Sequence, residues 1–243
     1  MAREPRPQPE PARAATTAAP AIVALIPAYN AAHLLGPVVQ AARMHLPVLV
    51  VDDGSKDDTA AVAEQAGATV IRQQPNQGKG RALQTGFRRA LADGYDAAIT
   101  LDADGQHDPA EIPKFLDRYA TTHADLIIGA RDFSTMPFIR KMSNTIGTRA
   151  FSWAMRRPIR DNQSGYRLVS RRLVEATLQS REAGFELEVE QIVICLEHHY
   201  QLDWVTIRTI YGDEGSHIEP LQHVYHFFRV VFEARRRTGR IRA

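Results

Sequence analysis

Five short apolar runs, at residues 21–26, 47–51, 68–71, 97–101 and 125–129, alternate with stretches of helical periodicity near 37–45, 57–66, 79–92 and 109–120. Runs rich in Val, Ile and Leu, without polar alternation, suit strands buried on both faces. Strands that alternate with helices imply βαβ units, so the expected fold class is α/β: a Rossmann-like, mostly parallel sheet with helices on both faces, in a single domain. Right-handed crossovers bring the C-terminal ends of such strands to one edge, where α/β sheets bind ligands. Beyond residue 130 the pattern loosens. Helices are expected at 138–156, 173–178 and 185–199, a polar turn at 161–165 and a strand at 202–210. The periodicity of Leu221, Val224, Tyr225, Phe228, Val231 and Phe232 predicts a final amphipathic helix over 221–236.

Local chemistry supports these boundaries. Gly36-Pro37 can open a helix, because proline at the first helical position gives up no needed donor. Asp57-Asp58-Thr59 and Asp108-Pro109 place carboxylates where helix N-termini attract them. Residues 1–20, rich in Pro, Ala and Arg, read as a disordered leader. Residues 21–220 read as the folded domain, and 221–243 as the amphipathic helix with an Arg-rich tail.

The formal charge is +2, but residues 229–243 hold six Arg and one Glu, which leaves −3 for the rest. A nucleic-acid partner would favour a basic stripe over the fold, and none is visible, so no nucleic acid is expected. The basic end can meet anionic lipid or remain solvated. No apolar run approaches the length of a membrane-spanning helix, and the N-terminus has no apolar signal region. The single cysteine, Cys195, rules out an internal disulfide and fits a reducing compartment. The expectation is a cytoplasmic chain, either soluble or peripheral at the inner face of the membrane.

The unusual residues cluster at strand ends. The first strand ends Pro27-Ala28-Tyr29-Asn30, the second Asp52-Asp53-Gly54-Ser55, the fourth Asp102-Ala103-Asp104-Gly105-Gln106-His107-Asp108, and the fifth Gly129-Ala130-Arg131-Asp132. Asp102 and Asp104, at i and i+2 of an extended segment, point to the same side and can converge on one point. Oxygen ligands of this kind suit Mg²⁺ or Mn²⁺, ions that often bridge to substrate phosphates. Asn76-Gln77-Gly78-Lys79-Gly80-Arg81 is a Gly-rich turn with two cations before a helix, a setting that favours anions.

The segments PAYN, VDDGS, NQGKGRA and LDADGQHDP, in this order and spacing, resemble the inverting family-2 glycosyltransferases with the GT-A fold. The later GARD, DNQSGYR and YGDEGSHI are similar to the polyprenyl-phosphate branch, the dolichyl-phosphate mannose synthase-like enzymes. Seven motifs over residues 21–220 form a specific signal. The resemblance implies that Pro27, Tyr29 and Asn30 line a nucleotide pocket with Lys79. It implies that Asp52 and Asp53 contact base and ribose, Asp53 being the expected ribose ligand. Asp102, Asp104 and Gln106 would surround Mg²⁺ or Mn²⁺, and His217 sits where such enzymes often carry a late metal-proximal His. Arg131 and Arg167 would meet donor and acceptor phosphates, with Ser164 adding a hydroxyl donor. The implied partners are a nucleotide sugar, with GDP-mannose preferred and a UDP-hexose as the other option, and a polyprenyl-phosphate acceptor. The last helix is then expected to rest on the membrane surface, or a separate membrane-anchoring protein to supply the contact.

Each residue has a plainer reading. Asp52 and Asp53 fit a solvated turn, Lys79 and Arg81 an exposed helix start, and His217 a surface position. Arg131 could pair with Asp132, and Arg167 with Asp161. Trp153 and Trp204 read as packing residues and Cys195 as a buried small hydrophobe. A hydroxyl acceptor, on a saccharide or a protein, would require a general base, for which Asp132, Asp161, Glu186 and Glu188 are candidates. A nucleotidyltransferase and a non-catalytic nucleotide-sugar binder are the remaining alternatives.

Overall fold

The computed structural model describes residues 19–131, 138–179, 186–208, 210 and 235–236. Among them lies one seven-stranded sheet in the order β3-β2-β1-β4-β6-β5-β7. The strands are β1 (Ile22–Ala28), β2 (Val48–Asp52), β3 (Thr69–Arg72), β4 (Ala97–Thr100), β5 (Leu126–Arg131), β6 (Arg167–Ser170) and β7 (Leu202–Ile207). The helices are α1 (Ala32–Arg43), α2 (Thr59–Gln65), α3 (Lys79–Ala92), α4 (Ile112–Thr122), α5 (Phe138–Met155), α6 (Arg171–Thr177) and α7 (Glu186–Glu197), with a 3₁₀ turn at Pro109–Glu111 before α4.

Two apolar layers sandwich the sheet because alternate residues of each buried strand face opposite ways. Val23 and Leu25 of β1 join Leu83 and Phe87 of α3, with Phe151, Leu187 and Ile192 from α5 and α7. Ala24 and Ile26 join Leu35, Val38 and Val39 of α1, with Phe115 of α4. The sequence periodicity of the helices is the burial pattern seen here: α1 buries Leu35, Val38, Val39 and Ala42. Asp108 caps the 3₁₀ turn by accepting from Ala110 N at 2.9 Å, as the Asp-Pro pair predicts.

Two expectations are corrected. Gly36-Pro37 does not open α1. The helix starts at Ala32, and Pro37 lies inside it. The opening turn is fixed instead by the neighbouring loop, with Ala31 N donating to Thr59 Oγ1 (2.8 Å) and Ala32 N to Asp57 Oδ2 (3.1 Å). The second correction is β6, which lies where the sequence suggested only the approach to a helix. It runs antiparallel between β4 and β5, with Thr100 opposite Arg167 and Ile128 opposite Arg167.

The insertion of β6 decides where the site forms. An antiparallel strand presents its beginning at the edge where its parallel neighbours end. The segment that leads into β6, Asp161–Tyr166, is thereby brought beside the tips of β4 and β5. On the other side of β4, the chain leaves β1 toward β2 in one direction while β4 flanks it in the other. That reversal is the crevice where open α/β sheets take ligands.

The amphipathic helix expected at 221–236, His217 and residues 1–18 lie outside the described residues, apart from a helical Arg235 and Arg236. Among the described residues no helix is long and apolar enough to cross a membrane.

Candidate active site

Pro27 shapes the crevice first. It is paired with Val51 on the β2 side, while the β1–β4 ladder ends at Leu25–Thr100. Leu25 O accepts from Leu101 N on the β4 side, so the donor that Pro27 lacks falls on that same side, beyond the last pair. The two strands can part there without leaving a broken hydrogen bond.

The loops after β1 and β2 are stitched together. Asn30, in the left-handed region at φ 49°, donates from its N–H to Ser55 Oγ (2.9 Å) and accepts from Lys56 N at Oδ1 (2.8 Å). Asp52 Oδ1 accepts from Ser55 N (3.0 Å). Gly54, with φ 77°, is closely overlain by the 73–76 loop; a Cβ there would lie 2.9 Å from Asn76 N. Tyr29 is exposed at the mouth.

Asp53 has a different place from the one expected of a ribose ligand. Its carboxylate is buried, and it accepts from Gln77 N (2.9 Å), Gly78 N (2.7 Å) and the Gln73 side chain. Those amides belong to the Gly-rich turn at the head of α3. Asp53 therefore fixes that turn beside the strand tips, and its oxygens are occupied in doing so.

At the tip of β4, Asp102 and Asp104 stand on one loop. Lys79 Nζ, the first side chain of α3, lies 2.6 Å from Asp102 Oδ1 and 2.8 Å from Glu188 Oε1 of α7. Three elements remote in sequence thus converge on one ammonium group. Gly165 closes the cluster from behind: a Cβ added there would lie 2.9 Å from Glu188 Oε1, 3.0 Å from Asp102 Oδ2 and 3.1 Å from Lys79 Nζ. Gly165 O in turn accepts from Thr100 Oγ1 at 2.7 Å, which ties the loop to β4.

The electrostatics follow from this geometry. Burial raises the Asp102 carboxyl most strongly, but its neighbours, Lys79 foremost, together outweigh burial and hold it down at about 2. The same two carboxylates overcome burial to push the Lys79 ammonium above its ordinary value. Asp104 is raised, by burial and by the like charge of Asp102, although Gln106 N donates to its Oδ1 at 2.9 Å. His107 is buried and lowered chiefly by that burial. Its Nδ1 accepts from Asp102 N at 3.0 Å, so that nitrogen carries no proton and the ring is neutral. The 3.7 Å approach of Nδ1 to Asp102 Oδ2 is then not an ion pair. The ring packs on Tyr166, which stacks on Phe115, a prop that no local sequence pattern announces.

Arg131 and Arg167 part ways. Arg131 forms a two-pronged pair with buried Asp161, Nε–Oδ2 at 2.7 Å and Nη2–Oδ1 at 3.0 Å; Asp132, the partner expected from the sequence, lies outside the described residues. Its charge still reaches Asp102 and helps hold that carboxyl low. Arg167 is turned into the fold with 1% of its surface exposed. Its guanidinium donates to the carbonyls of Ser164 (2.6 Å), Asn162 (3.2 Å) and Glu188. It pairs with neither Asp161 nor open solvent; it fastens the 162–164 loop to α7. Ser164 is buried too, with Oγ accepting from Tyr166 N at 3.4 Å.

Among the described residues no three His, Cys, Asp or Glu side chains form a closed metal cage. Asp102 and Asp104, with the Gln106 amide on the same loop, instead offer hard oxygen donors of the kind that Mg²⁺ or Mn²⁺ takes. The residues present fit such an ion.

A mostly parallel α/β sheet with carboxylates at one strand tip and a cation-bearing turn beside them has the layout of a nucleotide-binding enzyme. Residues 23–183 match the sequence profile described as Glycosyl transferase family 2. The chain belongs to this family and is a glycosyltransferase. It is 31% identical over 185 residues to an undecaprenyl-phosphate mannosyltransferase of Micrococcus luteus, covering 69% of this chain and 75% of that one. It is 29% identical over 218 residues to a UDP-N-acetylglucosamine–dolichyl-phosphate N-acetylglucosaminyltransferase of Methanococcus voltae, covering 79% and 86%. Glucosyl-3-phosphoglycerate synthase of Mycobacterium tuberculosis, solved with Mn²⁺, UDP-glucose and phosphoglyceric acid, shares the fold. The TM-score is 0.70 at 19% identity, over 90% of this chain and 80% of that one.

Proposed function

We propose that this glycosyltransferase moves a hexose, with inversion, from a nucleotide sugar to polyprenyl phosphate. The carrying observation is the cluster at the tip of β4, where Lys79 meets Asp102 and Glu188, with Asp104 on the same loop, beside the turn fixed by Asp53. Asn30, Asp52 and Tyr29 line the nucleotide side of the crevice, and Lys79 and Arg131 supply positive charge toward its diphosphate. Mg²⁺ or Mn²⁺, held by Asp102 and Asp104 with Gln106, supplies neutralisation of the leaving diphosphate's charge when bound. His217 is carried as a further ligand candidate on resemblance alone. Two relatives named for undecaprenyl and dolichyl phosphate support the acceptor class.

The state of the carboxylates favours a phosphate acceptor over a hydroxyl. A hydroxyl nucleophile needs a general base, whereas a phosphate monoester is largely ionised at pH 7. Of the candidate bases whose side chains are described, Asp161 is clasped by Arg131 and Glu188 by Lys79. An exposed face of α5 supports approach to a lipid surface: Met142, Ile146 and Trp153 are exposed, and Arg149, Arg156, Arg157 and Arg160 lie on or just after the same helix, which carries no acidic residue. We propose a peripheral position at the inner face of the membrane, and carry GDP-mannose as the preferred donor on the resemblance alone.

The test is transfer from radiolabelled GDP-mannose, UDP-glucose and UDP-N-acetylglucosamine to purified polyprenyl phosphate, with and without Mn²⁺. Label should enter the organic phase from one donor, only with metal and only with the phosphorylated lipid. Equal transfer to a saccharide hydroxyl with no lipid present would overturn the acceptor assignment.

A further inference from the structure

Lys79 opens α3, with Gly78 as the N-cap. A cation is disfavoured at a helix N-terminus, where the aligned peptide dipoles already present positive charge. Something must offset that placement, and the structure shows what: Asp102 at 2.6 Å and Glu188 at 2.8 Å. The ammonium therefore occupies one oxygen of a carboxylate that is proposed to hold the divalent ion. An ion bound to Asp102 at about 2.1 Å would stand close to that ammonium, and the two like charges repel. Glu188 lies on α7, away from the metal loop, and offers the ammonium a second anchor.

We infer that Lys79 is a tethered counter-cation that keeps the metal site closed to free divalent ions until a nucleotide diphosphate arrives. Without nucleotide, Lys79 neutralises Asp102, and an incoming ion must both break that pair and bear the repulsion of a nearby positive charge. With nucleotide, the diphosphate adds negative charge that accommodates both cations, and Lys79 shifts its weight to Glu188 and the phosphate. Metal and donor then bind as a cooperative pair, and an unloaded enzyme does not hold stray metal. The device rests on the metal reading given above. Lys79 acts here as a positioning residue for Asp102.

The test is Mn²⁺ binding by loss of the free-ion paramagnetic resonance signal, with no activity measured. Titrations are run without nucleotide and with saturating UDP or GDP, on the wild type, Lys79→Met and Lys79→Arg. Without nucleotide, Lys79→Met should bind Mn²⁺ about tenfold more tightly than the wild type, the size expected from removing one nearby like charge in a partly screened site. Lys79→Arg, which retains the charge, should stay within about threefold of the wild type. The enhancement of Mn²⁺ affinity by nucleotide should shrink in Lys79→Met by a similar factor, since the coupling is reciprocal. Lys79→Gln carries the same expectation as Lys79→Met and replaces it if that variant does not fold by circular dichroism. Unchanged or weaker Mn²⁺ binding in the neutral variants, with nucleotide-dependent binding intact in the wild type, overturns this inference alone. Failure of the wild type to bind Mn²⁺ even with nucleotide overturns the metal reading, and this inference with it.

Discussion

Gly165→Ala separates damage to the site from damage to the fold. The added methyl carbon would lie 2.9 Å from Glu188 Oε1, 3.0 Å from Asp102 Oδ2 and 3.1 Å from Lys79 Nζ, against an ordinary contact of at least 3.4 Å. Each of these atoms ends a side chain that can move, so the cluster opens by roughly half an ångström to an ångström and the backbone stays put. Overpacking relieved this way costs stability at the low end of the usual range, about 1 kcal/mol. Catalysis depends on the same atoms, and a displacement near 1 Å can lower the rate by up to about 100-fold. We expect kcat/KM to fall by about 10- to 100-fold, which is about 1.4–2.7 kcal/mol of transition-state stabilisation. Gly86→Ala is the contrast: its methyl would lie 2.2 Å from Leu25 Cδ1 in the core, so it should lose about 1–3 kcal/mol of stability. Steady-state kinetics with denaturant melts measure both. Activity within twofold of the wild type for Gly165→Ala would refute the claim that this cluster is the reacting site's support.

Three further outcomes follow. Asp53→Ala should lower stability by about 1–3 kcal/mol and weaken nucleotide binding, because Gln77 N and Gly78 N lose their acceptor; calorimetry with UDP and GDP and a urea melt check it. Asp125 is a buried hub: burial raises its carboxyl, but Arg172, Gln201 N and Ser170 Oγ outweigh that and hold it below the usual range. A depressed folded value contributes stability above the unfolded carboxylate range and loses it as pH falls, so the deficit of Asp125→Asn, measured by urea melts, should be present at pH 7 and shrink below about pH 4. Cys195 is fully buried and its thiol is pushed up to about 12 by burial, so Ellman's reagent should label it only after unfolding.

The sheet's parallel strands and most of its helices were legible because each carries its own period. β6 was not. Arg167–Ser170 is four residues long, follows a polar turn and passes directly into α6, so no alternation can develop. Its wedge between β4 and β5 is a property of pairing, which local sequence does not encode. The carboxylates at the tip of β4 were legible as a motif, and the loop after that strand carries both Asp102 and Asp104. The direction of Arg167 was not legible, since an Arg in a motif looks the same whether it meets a ligand or three carbonyls. Asp53 was expected at the ribose on the resemblance, and its hold on the Gln77–Gly78 amides was not legible, because that turn lies more than 20 residues away in sequence. Lys79 with Glu188 is the extreme case: the partners are over 100 residues apart, and Glu188 was visible only as a candidate base for a hydroxyl acceptor.

The most direct test is a crystal of the protein soaked with Mn²⁺ and its nucleotide, examined at an X-ray energy where manganese scatters anomalously. The account predicts one strong peak within about 2.4 Å of carboxylate oxygens of Asp102 or Asp104, contacting the diphosphate, with Lys79 moved off Asp102. A peak elsewhere, or a nucleotide bound while Lys79 still pairs with Asp102 and no metal is present, would contradict it.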